Sequence, residues 1–182
     1  ENTERTRKKQ TFHNPKKQPI NRIMLKTINE TQDEIIDEFS AFDDWMDRYS
    51  LLIDYGNSLP PFPETDRTEQ NLIDGCQSKV WFTARLQQPD GTPTPSDDAT
   101  QTADSEPVII YRGDSDAILV KGIVALLIRV LSGHTPREII DADLYFIDAI
   151  NLREHLSPTR SNGLAAMLKQ MRLYALAFDA KK

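Results

Sequence analysis

Between residues 117 and 131 the chain reads AILVKGIVALLIRVL, an apolar run interrupted only by Lys121 and Arg129. A helix built from these residues is apolar around most of its circumference, so it belongs at the centre of a core rather than along one edge. Asp114 or Ser115 is suited to cap its start, and Gly133 to stop it. The run is too short to cross a bilayer, which takes about 20 apolar residues. The rest of the chain must therefore wrap a buried helix.

Several segments have the pattern needed to do so. In TQDEIIDEF, Thr31 and Glu34 stand in the S/T-x-x-E relation that satisfies helix N-terminal donors, and predict a helix start. DDWMDRYSLLIDYG predicts a second helix with Trp45, Tyr49, Leu52 and Ile53 on one core-facing stripe and Gly56 in the C-terminal cap. Pro60, Pro61 and Pro63 then impose an extended loop. KVWFTARL alternates Val80, Phe82, Ala84 and Leu86 against Lys79, Trp81, Thr83 and Arg85, the period of a half-buried strand, with PVIIYRG (107–113) as its antiparallel partner. Thr135, Pro136 and Glu138 predict another capped helix. A last amphipathic helix carries Leu164, Met167, Leu168, Met171, Ala175 and Phe178 on one face. Helices, a small antiparallel sheet and then more helices make an α+β order.

At 182 residues the chain fits one domain, and its 22 basic against 28 acidic residues leave a net charge of -6. That balance argues against nucleic acid as the main partner, because phosphate binding needs a basic footprint. The charge is unevenly spread: residues 1–27 carry +6 and the remainder -12. Residues 1–26 lack apolar periodicity and read as a disordered basic extension, compatible with translated sequence upstream of a start at Met24, while 27–182 read as the folded domain. Residues 88–106, with Pro89, Pro93 and Pro95 among acids and no base, read as a mobile acidic hairpin loop. The absence of an apolar segment near the N-terminus gives no sign of export or of membrane association.

The single cysteine, Cys76, cannot form an internal disulfide and fits a reducing, cytoplasmic setting. His13, His134 and His155 have no metal-site spacing, and no phosphate-loop, dinucleotide or serine-hydrolase motif is present. By count alone a lone cysteine reads as a small core residue. Its neighbours point elsewhere: Gly75 permits a sharp turn, and Gln77 and Ser78 are polar. A thiol at a loop tip can reach another sulfur, with its thiolate as nucleophile. Asp74 and Lys79 would push its pKa in opposite directions, and a cysteine protease would need a positioned histidine that the local sequence lacks. In HLSPTRSNG, Ser157 and Pro158 suit a turn or helix start; Arg160 can hold an anion or neutralise a carboxylate, and spacing alone favours the structural role.

Taken together, DWMDRYSLLIDYGNSLPPFP, RTEQNLIDGCQSKVWF, GDSDAILVKGIVALLI, SGHTPREII and LREHLSPTRSNGLAAM resemble the SufE/CsdE family of sulfur-acceptor proteins, in order, from about residue 39 to 178. The resemblance implies an α+β fold like that of the scaffold IscU, with a small antiparallel three-stranded sheet packed against several helices. It implies that Cys76 accepts persulfide sulfur from a SufS-type cysteine desulfurase, activates that pyridoxal-phosphate enzyme without needing a cofactor of its own, and passes sulfur to a SufBCD-type Fe–S scaffold. On this match Asp74, Gly75, Gln77 and Ser78 shape the loop, and Arg160 contacts the partner or the loop. The alternative is a protein of the IscU fold that itself binds a nascent cluster. Cluster ligation takes four thiolate-type ligands, which one cysteine per chain cannot supply. The basic extension and the 88–106 loop are departures from the family pattern.

Overall fold

The computed structural model describes residues 26–89, 91 and 106–181. The expectations for residues 1–25 and for most of the 88–106 loop lie outside the described residues. At the centre is the apolar run, as helix Ile118–Leu131 (α3), in which Ile123, Val124, Leu126, Leu127, Val130 and Leu131 are buried. Around it lie helices Ile28–Ser40 (α1), Trp45–Asn57 (α2), Pro136–Asp141 (α4), Phe146–Ala149 (α5) and Pro158–Asp179 (α6), and strands Val80–Gln87 (β1) and Val108–Ser115 (β2). The mixed architecture is α+β, as the element order implies.

The sheet has two strands among the described residues, not three: β1 pairs antiparallel with β2 from Val80 opposite Ser115 to Gln87 opposite Val108. The chain before β1 adds only an isolated bridge between Leu72 and Trp81. A 3-10 turn over Glu69–Asn71 precedes Leu72 and the turn at Gly75 follows it, so no length remains for a third strand.

Three helix boundaries differ from the sequence reading. The stretch TINETQDE contains the capping pattern twice, and the fold uses the earlier copy: the Thr27 hydroxyl accepts from the Glu30 amide at 3.1 Å and the Glu30 carboxylate from the Thr27 amide at 2.8 Å. The earlier start buries Ile28 and frees Glu34 to pair with Arg129 of α3. Asp114 and Ser115 do not cap α3, because sheet pairing claims them as the end of β2. Gly56 lies inside α2, with Ser58 as the C-cap. Its role is contact: a Cβ on Gly122 would stand 2.2 Å from the Leu52 carbonyl oxygen, and one on Gly56 would stand 2.9 Å from the Gly122 nitrogen. The two glycines let α2 and α3 touch backbone to backbone. Of the α2 stripe, Leu52 is buried; Trp45, Tyr49 and Ile53 are half-buried, and Trp45 stacks on His155 at 3.6 Å.

The Thr135–Pro136–Glu138 start of α4 is found as expected. The α6 face is also as expected, with Leu164, Met167, Met171 and Ala175 buried, and Leu168 and Phe178 packed at the core's margin. This long helix runs past the segment between Ile73 and β1, which holds Cys76.

Candidate functional site: the Cys76 loop

The Cys76 loop is fixed at both ends. On one side the Ile73 amide donates to the Val80 carbonyl at 2.8 Å. On the other, Lys79 meets the junction between β2 and α3: its amide donates to Asp116 Oδ1 at 3.0 Å, and its carbonyl accepts from Ser115 Oγ at 2.9 Å and from the Asp116 amide at 3.2 Å. Between these anchors Gly75 has φ +87°, a left-handed conformation that disfavours any residue with a side chain. The turn directs the Cys76 side chain toward α6.

Beneath the junction lies a charged cluster. The buried Asp114 carboxylate meets Arg67 Nη2 at 2.5 Å and Lys121 Nζ at 3.1 Å, and accepts from the Ser115 amide at 2.9 Å. Burial alone would push this carboxyl up, but hydrogen bonds from Lys121, the Ser115 amide and Arg67 outweigh it and hold the pKa below the ordinary aspartate value. The Arg67 guanidinium also lies 5.1 Å from the centre of the Trp81 ring, joining the cluster to β1.

Cys76 is half-buried, and its Sγ lies 3.6 Å from the Gly163 carbonyl oxygen, the distance of a weak S–H donor to a backbone acceptor. Burial pushes the thiol's pKa above its ordinary value, so the docked sulfur is held as the neutral thiol. Around it is a cavity of about 280 Å³ lined by Cys76, Gln77, Ser78, Val120, Ile123 and Met167 with the first turns of α6 at Thr159, Arg160 and Gly163. One side is apolar, from α3 and α6. The other is polar.

The fold brings together most of the residues singled out in the sequence. Cys76, Gln77, Ser78 and Arg160 line the one cavity, and Gly75 forms the turn. Asp74 is exposed and does not line it. Arg160 is exposed and, among the described residues, is in no ion pair with a carboxylate. The described histidines stand away from the lining: His134 is near Glu138, and His155 is stacked on Trp45. Among the described residues no three His, Cys, Asp or Glu side chains gather to hold a metal ion. No described helix is long and apolar enough to cross a membrane.

Sequence reading missed Asp116, Ser115 and Gly163 as parts of this site. A signal existed only for Gly163, a glycine inside an otherwise helical pattern, which marks close approach by another part of the chain. Asp116 was hidden because its partner is a backbone amide 37 positions away.

Comparison with known proteins gives the family and the fold. Residues 33–175 match the family model described as SufE, Fe-S metabolism associated domain. The chain is 37% identical over 142 residues to an uncharacterised SufE-like protein of Rhizobium meliloti, covering 77% of this chain and 91% of that one. It is 40% identical over 141 residues to another from Rhizobium etli, with 77% and 86% covered, and 39% identical over 146 residues to one from Synechocystis, with 80% of each covered. The fold is similar to the solution structure of a hypothetical protein from Thermus thermophilus, with a TM-score of 0.58 at 19% identity over 81% of this chain and 94% of that one.

Proposed function

This chain belongs to the SufE family of Fe–S metabolism associated proteins, and from that premise we propose that it is a sulfur carrier, with Cys76 taking sulfur from a SufS-type cysteine desulfurase and delivering it to Fe–S cluster assembly. The observation that carries this reading is a lone thiol at a glycine turn, docked 3.6 Å from the Gly163 carbonyl oxygen beside Arg160, which pairs with no described carboxylate. The arrangement suits a sulfur that is shielded at rest and presented on contact.

The chemistry is exchange at sulfur. Cys76 loses its proton to water as the loop leaves its apolar surroundings, and the departing thiolate later regains one from solvent. The thiolate attacks the terminal sulfur of the desulfurase persulfide; a Cys76 S–S bond forms as the partner's S–S bond breaks, and the desulfurase cysteine departs as thiolate. The sulfane sulfur keeps its oxidation level, so no external oxidant or reductant is needed. Such exchange needs access and alignment more than a dedicated base, which accords with a cavity lining that contains no histidine. Arg160 lines the same cavity, and in this reading its guanidinium meets the negative charge on the incoming or newly formed persulfide. A carrier thiol of this kind belongs in a reducing, cytoplasmic compartment.

The test is a desulfurase assay with this protein present or absent, followed by intact mass measurement of the chain. The reading expects faster turnover and an added sulfur on Cys76. Unchanged turnover with no adduct would contradict it.

A further inference from the structure

Gly163 occupies an unusual place for a glycine: it is buried in the second turn of α6, where helix propensity disfavours it and its backbone is not left-handed. Its contact with the loop accounts for it. A Cβ at this position would stand 3.2 Å from Cys76 Sγ and 3.8 Å from Cys76 Cα and Cβ. Ordinary nonbonded contact falls at about 3.5–4.0 Å, so the first of these distances is too short and the others are not. The crowding falls on the sulfur alone.

We propose that Gly163 is the positioning residue for the sulfur that Cys76 carries: its missing side chain is the slot that admits Sγ, and its carbonyl is the group that meets the thiol. This deepens the carrier reading and rests on it for its function, because the slot matters only if the sulfur must be hidden between acceptance and delivery. With the slot open, the half-buried thiol sits in the cavity that Val120, Ile123 and Met167 line on its apolar side, where a sulfur bound to it would be partly shielded. With the slot filled, Sγ must give way by a few tenths of an ångström, which loosens the docked position and leaves a persulfide more open to attack by a passing thiol.

The experiment uses the full chain as wild type and Gly163→Ala, and reads the alkylation rate of the sulfur-free thiol with iodoacetamide at pH 7. The expected result is a rate about tenfold higher in the variant, the factor that corresponds to losing about 1.4 kcal/mol of docking. The melting temperature should change little, because alanine's better helix propensity offsets most of the lost docking. After loading by desulfurase, the variant should also lose its sulfur to dithiothreitol faster than the wild type. An unchanged alkylation rate in a folded variant overturns the proposal. Should Gly163→Ala fail to fold, the wild type decides: its Cys76 must react slower than in urea-unfolded chain, and equal rates overturn the slot. The two readings fail separately. Faster alkylation with no sulfur uptake by either protein leaves the slot and removes the carrier, whereas equal uptake with equal alkylation leaves the carrier and removes the slot.

Discussion

The thiol of Cys76 rests on the backbone of α6, its Sγ 3.6 Å from the Gly163 carbonyl oxygen, so the nucleophile is held by a helix 87 positions away in sequence. This contact joins the loop to the element that also bears Arg160. In the proposed mechanism, a single undocking movement would change the thiol's solvation, its acidity and its reach together.

The first consequence is a pH dependence of docking. Burial raises the Cys76 pKa in the docked loop. A raised pKa stabilises docking fully below the undocked thiol's value, about 8.5, and that contribution is lost as pH rises through the docked value. The protection of the amides of residues 75–78, their exchange rate relative to the intrinsic base-catalysed rate at each pH, should therefore fall above about pH 8.5 in the wild type but not in Cys76→Ser, which has no comparable titration. Identical pH profiles for the two proteins would show that the thiol's ionisation does not govern the loop.

Arg160→Ala should leave stability within about 0.5 kcal/mol, since the side chain is exposed and forms no ion pair with a described carboxylate. Sulfur transfer should fall roughly tenfold, the scale of one lost charge-assisted contact. Urea unfolding alongside the desulfurase assay separates the two effects. A large stability loss with unchanged activity per folded molecule would return Arg160 to a structural role.

Asp114 is a site for an acid-stability test. Its pKa is lowered in the fold, so the stability it contributes is present above the unfolded value, about 3.9, and is lost as pH falls through the folded value. Asp114→Asn should cost roughly 3 kcal/mol at pH 7, because Arg67 and Lys121 are left without their buried carboxylate. The gap between wild type and variant should narrow below about pH 4 in thermal melts. A gap that does not narrow as the pH falls below about 4 would mean that shape, not charge, holds the cluster.

Gly122→Ala should be among the most damaging single-methyl changes, with a loss at the upper end of the roughly 1–3 kcal/mol range for overpacking or beyond it. The added carbon would fall 2.2 Å from the Leu52 carbonyl oxygen, which belongs to backbone and cannot rotate aside. Circular dichroism melts measure this directly. A variant as stable as wild type would show that α2 can move off α3 at little cost.

How far the sequence reveals this molecule varies with the range of the interaction. Local signals read correctly: the apolar run is α3, Thr135–Pro136–Glu138 starts α4, and the GCQS stretch is a turn. Repeated or shared signals misled. TINETQDE offers two equivalent caps, and only the burial of Ile28 and the hydrogen bond from Gln32 to the Asp143 carbonyl select the first. Ser115 and Asp114 are good caps in isolation, yet pairing with Val80 and Trp81 claims them for the sheet. Gly56 reads as a helix end because its actual reason, Gly122, is distant in sequence. In the site, the cysteine and its turn are local and legible. The Asp116 clamp and the apolar wall from α3 are tertiary, and no spacing rule reveals them.

The most direct measurement of the central claim is intact mass after incubation with desulfurase, pyridoxal phosphate and cysteine, for the wild type and for Cys76→Ser. Serine keeps nearly the same volume but removes the sulfur nucleophile, so the variant should melt like the wild type. The wild type should gain about 32 Da, one sulfur, removed again by a reducing thiol, and the variant should gain nothing and fail to stimulate turnover. No adduct on Cys76 in the wild type, or full stimulation by the serine variant, would contradict the account.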